Sequence, residues 1–92
     1  MSQLNKEINF QDNQTRIRIE QKGNYYLFYI VEIKCGRTVE RIYKFKELLS
    51  YTYDCTTFQI IVLWNNVQIV IDFMCINDRD KNSIVDVMRL LL

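Results

Sequence analysis

An α+β fold, mainly β, is the class this chain predicts: about six antiparallel strands in a strongly bent or barrel-like meander, followed by one C-terminal amphipathic helix. Three observations lead there. Apolar residues recur with a period of two in separate runs between Thr15 and Phe73. Turn-forming pairs such as Gly23-Asn24, Cys35-Gly36 and Asn65-Asn66 separate those runs. The period then lengthens, with Ile84, Val87, Met88 and Leu91 at i, i+3, i+4 and i+7, the apolar stripe of a helix.

Taken in order, residues 1–13 are polar, with Ile8 and Phe10 as isolated apolar points, and form a flexible lead or an edge strand. Residues 14–92 form the single domain. "TRIRIE" places Ile17 and Ile19 on one face and Arg16 and Arg18 on the other. Lys22-Gly23-Asn24 supplies residues tolerant of positive φ for a tight hairpin into "YYLFYIVEIK". In that long strand Tyr25, Leu27, Tyr29, Val31 and Ile33 form one apolar face. Tyr26, Phe28 and Ile30 make the opposite face apolar too.

After Cys35-Gly36, "TVERIYKFK" carries Val39, Tyr43 and Phe45 on one face with Arg41. "ELLSYTYD" continues as a strand with Leu49, Tyr51 and Tyr53 in step. Asp54 to Thr57 is a turn. "FQIIVLW" and "VQIVIDF" then pair as a hairpin through Asn65-Asn66, since asparagine tolerates the left-handed region at both central positions of a type I′ turn. Its core faces are Phe58, Ile60, Val62 and Trp64 on one arm and Val67, Ile69, Ile71 and Phe73 on the other. Asp78, Asp80 or Ser83 caps the closing helix.

Composition narrows the activity. At 92 residues the chain supports one core. Lys and Arg number 12 against 11 Asp and Glu, a net +1, so no global field draws in nucleic acid or an anionic membrane. The charge is unevenly spread, with eight bases against three acids between Gln14 and Lys46. With no histidine, the commonest general base and every Ser-His or Cys-His arrangement are excluded. No phosphate-binding loop, paired catalytic carboxylates or calcium loop is present, so no enzyme, no cofactor and no metal are expected. Three cysteines without a CxxC pair point to neither a disulfide framework nor a zinc site. A reducing compartment follows, and with no signal-peptide pattern at the start the expected location is cytoplasmic.

Strands first and one helix last, with the basic and aromatic "RIYKFKELLSYTYD" running into the final hairpin, resembles the small bacterial pleckstrin-homology-like domains. The resemblance covers roughly Thr15 to Leu92. It implies a scaffold that binds partners and carries no catalysis. Phosphoinositide-binding members of that superfold cluster several bases beside the first hairpin loop, where this chain offers Lys22 with Arg16 and Arg18. The tryptophan common in the closing helix of eukaryotic members is missing here, since Trp64 lies in the hairpin before Asn65.

One helix covers one face of such a sheet, so the second apolar face is expected to be an interface. Its candidate contacts are Tyr26, Phe28, Ile30, Ile61, Leu63 and Val70, with Arg16, Arg18, Arg37 and Arg41 as a basic rim. The predicted role is protein–protein interaction with another protein or with a second copy. An accessory or inhibitory protein of bacterial or phage origin, acting on a larger partner, is its most specific form. The alternative is nucleic acid on a platform built from Tyr25, Tyr29, Tyr43 and their neighbours, or an anionic lipid headgroup near Arg16, Arg18 and Lys22. The small net charge disfavours both nucleic acid and membrane.

Overall fold

The structure is a computed structural model and describes residues 3–92. Seven antiparallel strands form two sheets, and a helix ends the chain. The first sheet has the order β1 (Asn5–Asn9), β2 (Thr15–Lys22), β3 (Tyr25–Lys34), β4 (Arg37–Phe45). The second has the order β5 (Glu47–Tyr53), β6 (Thr57–Trp64), β7 (Val67–Met74), and α1 spans Asp78–Leu91.

The expected six strands are therefore seven, and the bent sheet is two separate sheets and no closed barrel. The additional strand lies in the lead. β1 has little apolar pattern of its own, and pairing with β2 makes it a strand, with Ile8 opposite Ile17 and Asn5 opposite Glu20. A main-chain bond from Gln21 N–H to Leu4 O extends this ladder, and Gln21 Oε1 accepts from Leu4 N–H. Residues 1–2 of the lead lie outside the described residues.

Register decides which face of each strand is buried. The tight turn at Gly23-Asn24 pairs Lys22 with Tyr25, so Ile19 stands opposite Phe28 and Ile17 opposite Ile30. Directly opposed residues share a face. The even-numbered face of β3 is thus the core face, and Phe28 and Ile30 are 0% exposed. Phe45, Phe58, Ile60, Val62, Ile71 and Phe73 join them between the sheets, with Phe58 and Phe73 stacked at 5.6 Å.

β5 departs from strict alternation. Leu48 opposes Val62 and Ser50 opposes Ile61, which leaves Leu49 as the extra residue of a β-bulge. The bulge turns Leu48 inward and carries Leu49 out of the phase expected for it, while Tyr51 still stacks on Phe58. At the far end of the last hairpin, beside the turn, Val67 stands 58% exposed and is no core residue.

Asn77, and none of the three expected residues, caps α1. Its Oδ1 accepts from Arg79 N at 2.9 Å and from Asp80 N at 3.4 Å, while Asp78 and Asp80 occupy the first turn. Ile84, Val85, Val87 and Met88 bury the helix stripe, and α1 packs against β1 and β5. Two ionic residues are buried with it. Lys81 Nζ donates to Cys55 O at 3.0 Å, and Asp80 Oδ2 accepts from Gln11 N at 3.1 Å, so neither is left without a partner.

Candidate interaction surface

The six apolar candidates divide between two regions. Phe28 and Ile30 belong to the core. Tyr26 is half-buried and stacked on Phe45 at 5.2 Å, packed against that core. Strand composition assigns these three outward, but β3 is apolar on both faces and only its pairing with β2 settles the direction. Ile61, Leu63 and Val70 do lie together on the outer face of the second sheet. Ile61 is directly opposite Val70 and Leu63 opposite Gln68, with Ile61 and Leu63 half-buried and Val70 49% exposed.

The basic rim does not surround this patch. Arg16 and Arg18 are on the outer face of the first sheet, 3.5 Å from Glu7 and 2.7 Å from Glu20. Lys22 also reaches Glu20 at 2.5 Å, and this contact holds the Glu20 carboxyl below its ordinary range and raises the Lys22 ammonium. Arg41 turns inward, half-buried, 3.4 Å from the buried Glu32 and 3.1 Å from Tyr43 Oη. Lys34 reaches the same Glu32 carboxylate at 3.8 Å. Arg37 is exposed at the β3–β4 turn. Four residues that share a charge thus occupy three unrelated surroundings.

The tyrosine platform is divided in the same way. Tyr25 and Tyr29 face outward on the first sheet, whereas Tyr43 and Tyr51 are packed against the core. Cations already cover the two outward rings: Arg18 lies 4.1 Å from the centroid of Tyr29, and Lys44 lies 4.2 Å from Tyr25 and 4.6 Å from Trp64.

A cleft of about 680 Å³ opens between the β1–β2 turn and the β7–α1 connection, lined by Phe10, Asp12, Glu32, Cys75 and Asp80 among others. Its carboxylates have protein partners. Asp12 accepts from the main-chain N–H groups of Gln14 and Thr15, and Asp80 and Glu32 are engaged as described. Burial pushes the Cys75 thiol up to about 11, which makes it a poor nucleophile.

The feature that composition alone does not reveal is the free edge of β7. Asn65 and Asn66 have φ of 52° and 63°, the type I′ turn, and Trp64 pairs with Val67 across it. The pair flanking such a turn exchanges both hydrogen bonds, and bonding alternates from there. Val67, Ile69, Ile71 and Phe73 therefore bond to β6. Gln68, Val70, Asp72 and Met74 direct their N–H and C=O groups away from it, and β6 is the only strand paired with β7 among the described residues.

β4 has the same construction, with a turn at Cys35 (φ 52°) and Gly36 (φ 74°) and a free outer edge. Its side chains differ. β4 carries Arg37, Glu40, Arg41 and Lys44, the charges that discourage strand addition, whereas Asp72 is the single charge on β7. The exposed apolar side chains of β7 are Val67, Val70 and, at 63% exposure, Met74, whereas those of β4, Val39 and Ile42, stand among its charges. The outer patch and the sparsely charged edge form one surface.

No family model, no characterised protein and no solved structure matches this chain.

Proposed function

We propose that the chain is a non-catalytic protein-interaction module. It binds through the outer face of the β5–β6–β7 sheet and the edge of β7. The observation that carries this reading is the contiguity of Ile61, Leu63 and Val70 with a strand edge that has unpaired main-chain groups and one charge. The order of strands followed by one amphipathic helix supports the pleckstrin-homology-like reading of the scaffold. The absence of histidine from the sequence and the engagement of the cleft carboxylates support a binding role over a catalytic one.

Among the described residues, no helix is long and apolar enough to cross a membrane. The reading places the chain in the cytoplasm, where Cys35 and Cys55 remain exposed free thiols. An accessory or inhibitory protein bound to a larger partner is its specific form.

The test is a double substitution, Ile61→Lys with Leu63→Lys. Both side chains are half-buried on an outer face, so the variant is expected to keep the far-ultraviolet circular dichroism of the parent. It is also expected to lose the association that the parent retains in high salt, because apolar contacts are not screened as phosphate contacts are. Association that persists in the folded variant, or that disappears from the parent as salt rises, overturns the proposal.

A further inference from the structure

The outward-facing sequence of β7 is self-complementary. We propose that the occupant of this edge is a second copy of the chain, with β7 pairing antiparallel to β7 of the partner about a two-fold axis at Val70. The two three-stranded sheets then become one six-stranded sheet. The inference rests on the functional reading above and names its partner.

The available registers are few. Only Gln68, Val70, Asp72 and Met74 present free main-chain groups, so even-numbered positions must meet even-numbered positions. An axis at Asp72 sets two carboxylates face to face, which opposes pairing. An axis at Ile71 sets Val70 against a carboxylate and Gln68 against a thioether. An axis at Val70 sets valine against valine and, on both sides of it, Gln68 against the partner's Asp72. That register also forms about six main-chain hydrogen bonds.

The neighbouring rows agree with this register. Ile61 stands beside Val70 on the same face, so the row through the axis becomes Ile61, Val70 and their two counterparts, a continuous apolar stripe. Asp72 Oδ1 already accepts from Gln59 Nε2 at 3.1 Å across the β6–β7 ladder. Its other oxygen is directed to no donor among the described residues and is available to the partner's Gln68. Each carboxylate would then lie between two amide donors, which reduces the cost of covering it. The corresponding register on β4 has its axis at Glu40 and would set two carboxylates face to face, which opposes pairing.

Sedimentation of the purified chain over a range of concentrations, together with cysteine cross-linking, tests this. Val70→Pro removes an outward N–H that has no intramolecular partner, and it is expected to weaken dimerisation by more than about tenfold while the chain stays folded. The register is tested separately in a Cys35→Ser, Cys55→Ser background, where Cys75 stays buried. There Val70→Cys is expected to form an intermolecular disulfide readily, since hydrogen-bonded antiparallel pairs have Cα atoms about 5.5 Å apart. Gln68→Cys, whose counterpart is Asp72, is expected to form it poorly. A chain that is monomeric at every concentration, or equal cross-linking at both positions, overturns the self-pairing. If that monomer still holds a different protein and loses it on Ile61→Lys with Leu63→Lys, the self-pairing fails and the interaction surface stands.

Discussion

The two sides of this sandwich are finished differently. α1 packs against β1 and β5, an edge strand from each sheet, with its apolar stripe buried. Among the described residues β4 and β7, the other two edge strands, pair with no further strand; Glu32 and Arg41 share a cleft with Asp72 and Met74, and each edge relies on its own side chains. β4 does so with four charged residues, and β7 has one. An open edge is a template for another strand, and a chain that protects one edge and leaves the other bare distinguishes between them energetically. This contrast points to the β7 side.

The largest effect separates inner from outer positions. Phe28→Ala is expected to cost about 3–5 kcal/mol in urea unfolding, because Phe28 is fully buried and its removal leaves a cavity. Val70→Ala, on the outer face, should stay within about 0.5 kcal/mol. Similar costs for the two would invert the face assignment of β3 and break the contrast.

The covered side depends on a helix whose first N–H groups are held by one side chain. Asn77→Ala is expected to cost about 1 kcal/mol and to speed hydrogen exchange in the first turn of α1. An unchanged melting temperature would show that packing alone holds the helix in place.

A smaller change makes β7 resemble β4. Gln68→Lys adds an edge lysine at an exposed position and is expected to alter stability by no more than about 0.5 kcal/mol while reducing association. Undiminished association would show that edge charge does not govern this surface.

The smallest effect is a pH dependence at the β5–β6 turn. Main-chain N–H groups of Thr56 and Thr57, at 2.9 and 2.8 Å, hold the Asp54 carboxyl below its ordinary value of 3.8. A depressed folded-state value means that the unfolded chain binds the proton more readily. The contribution is therefore complete above the ordinary aspartate range and is lost as pH falls through the lower folded-state value. Asp54→Asn should flatten that part of the stability profile, and an unaltered acid limb would place the titration elsewhere.

How much of this was legible in the sequence depended on how much of the pattern is local. The final hairpin was readable from two asparagines between alternating runs, and the helix from four apolar positions. β2 was readable from "TRIRIE". β1 was readable only as one of two alternatives, a flexible lead or an edge strand, because a strand with one inward isoleucine is made by its neighbour. β3 shows the boundary most clearly. Its composition allows either face inward, and the inward choice follows only when the two-residue turn is counted through, from Lys22 opposite Tyr25 to Ile17 opposite Ile30. That count was available from the sequence, and it would have placed Phe28 and Ile30 in the core. Glu32 could have been read the same way, since it lies in phase with them.

The bulge at Leu49 has no such signal, because it arises where β5 adjusts to β6 after the corner at Lys46, whose N–H donates to Leu63 O at 2.9 Å. The basic rim failed for a related reason: charge is a property of a residue, but pairing with Glu7, Glu20 or Glu32 depends on which strands adjoin.

By itself the sequence determined the class of the fold, the turns and the helix, since dihedral preferences and hydrophobic period act between near neighbours. The tertiary structure alone decided the division into two sheets, the side the helix covers and the edge left bare. Those depend on contacts between residues far apart in the chain, where the balance between burying one apolar face and another is settled only when all the strands are in place.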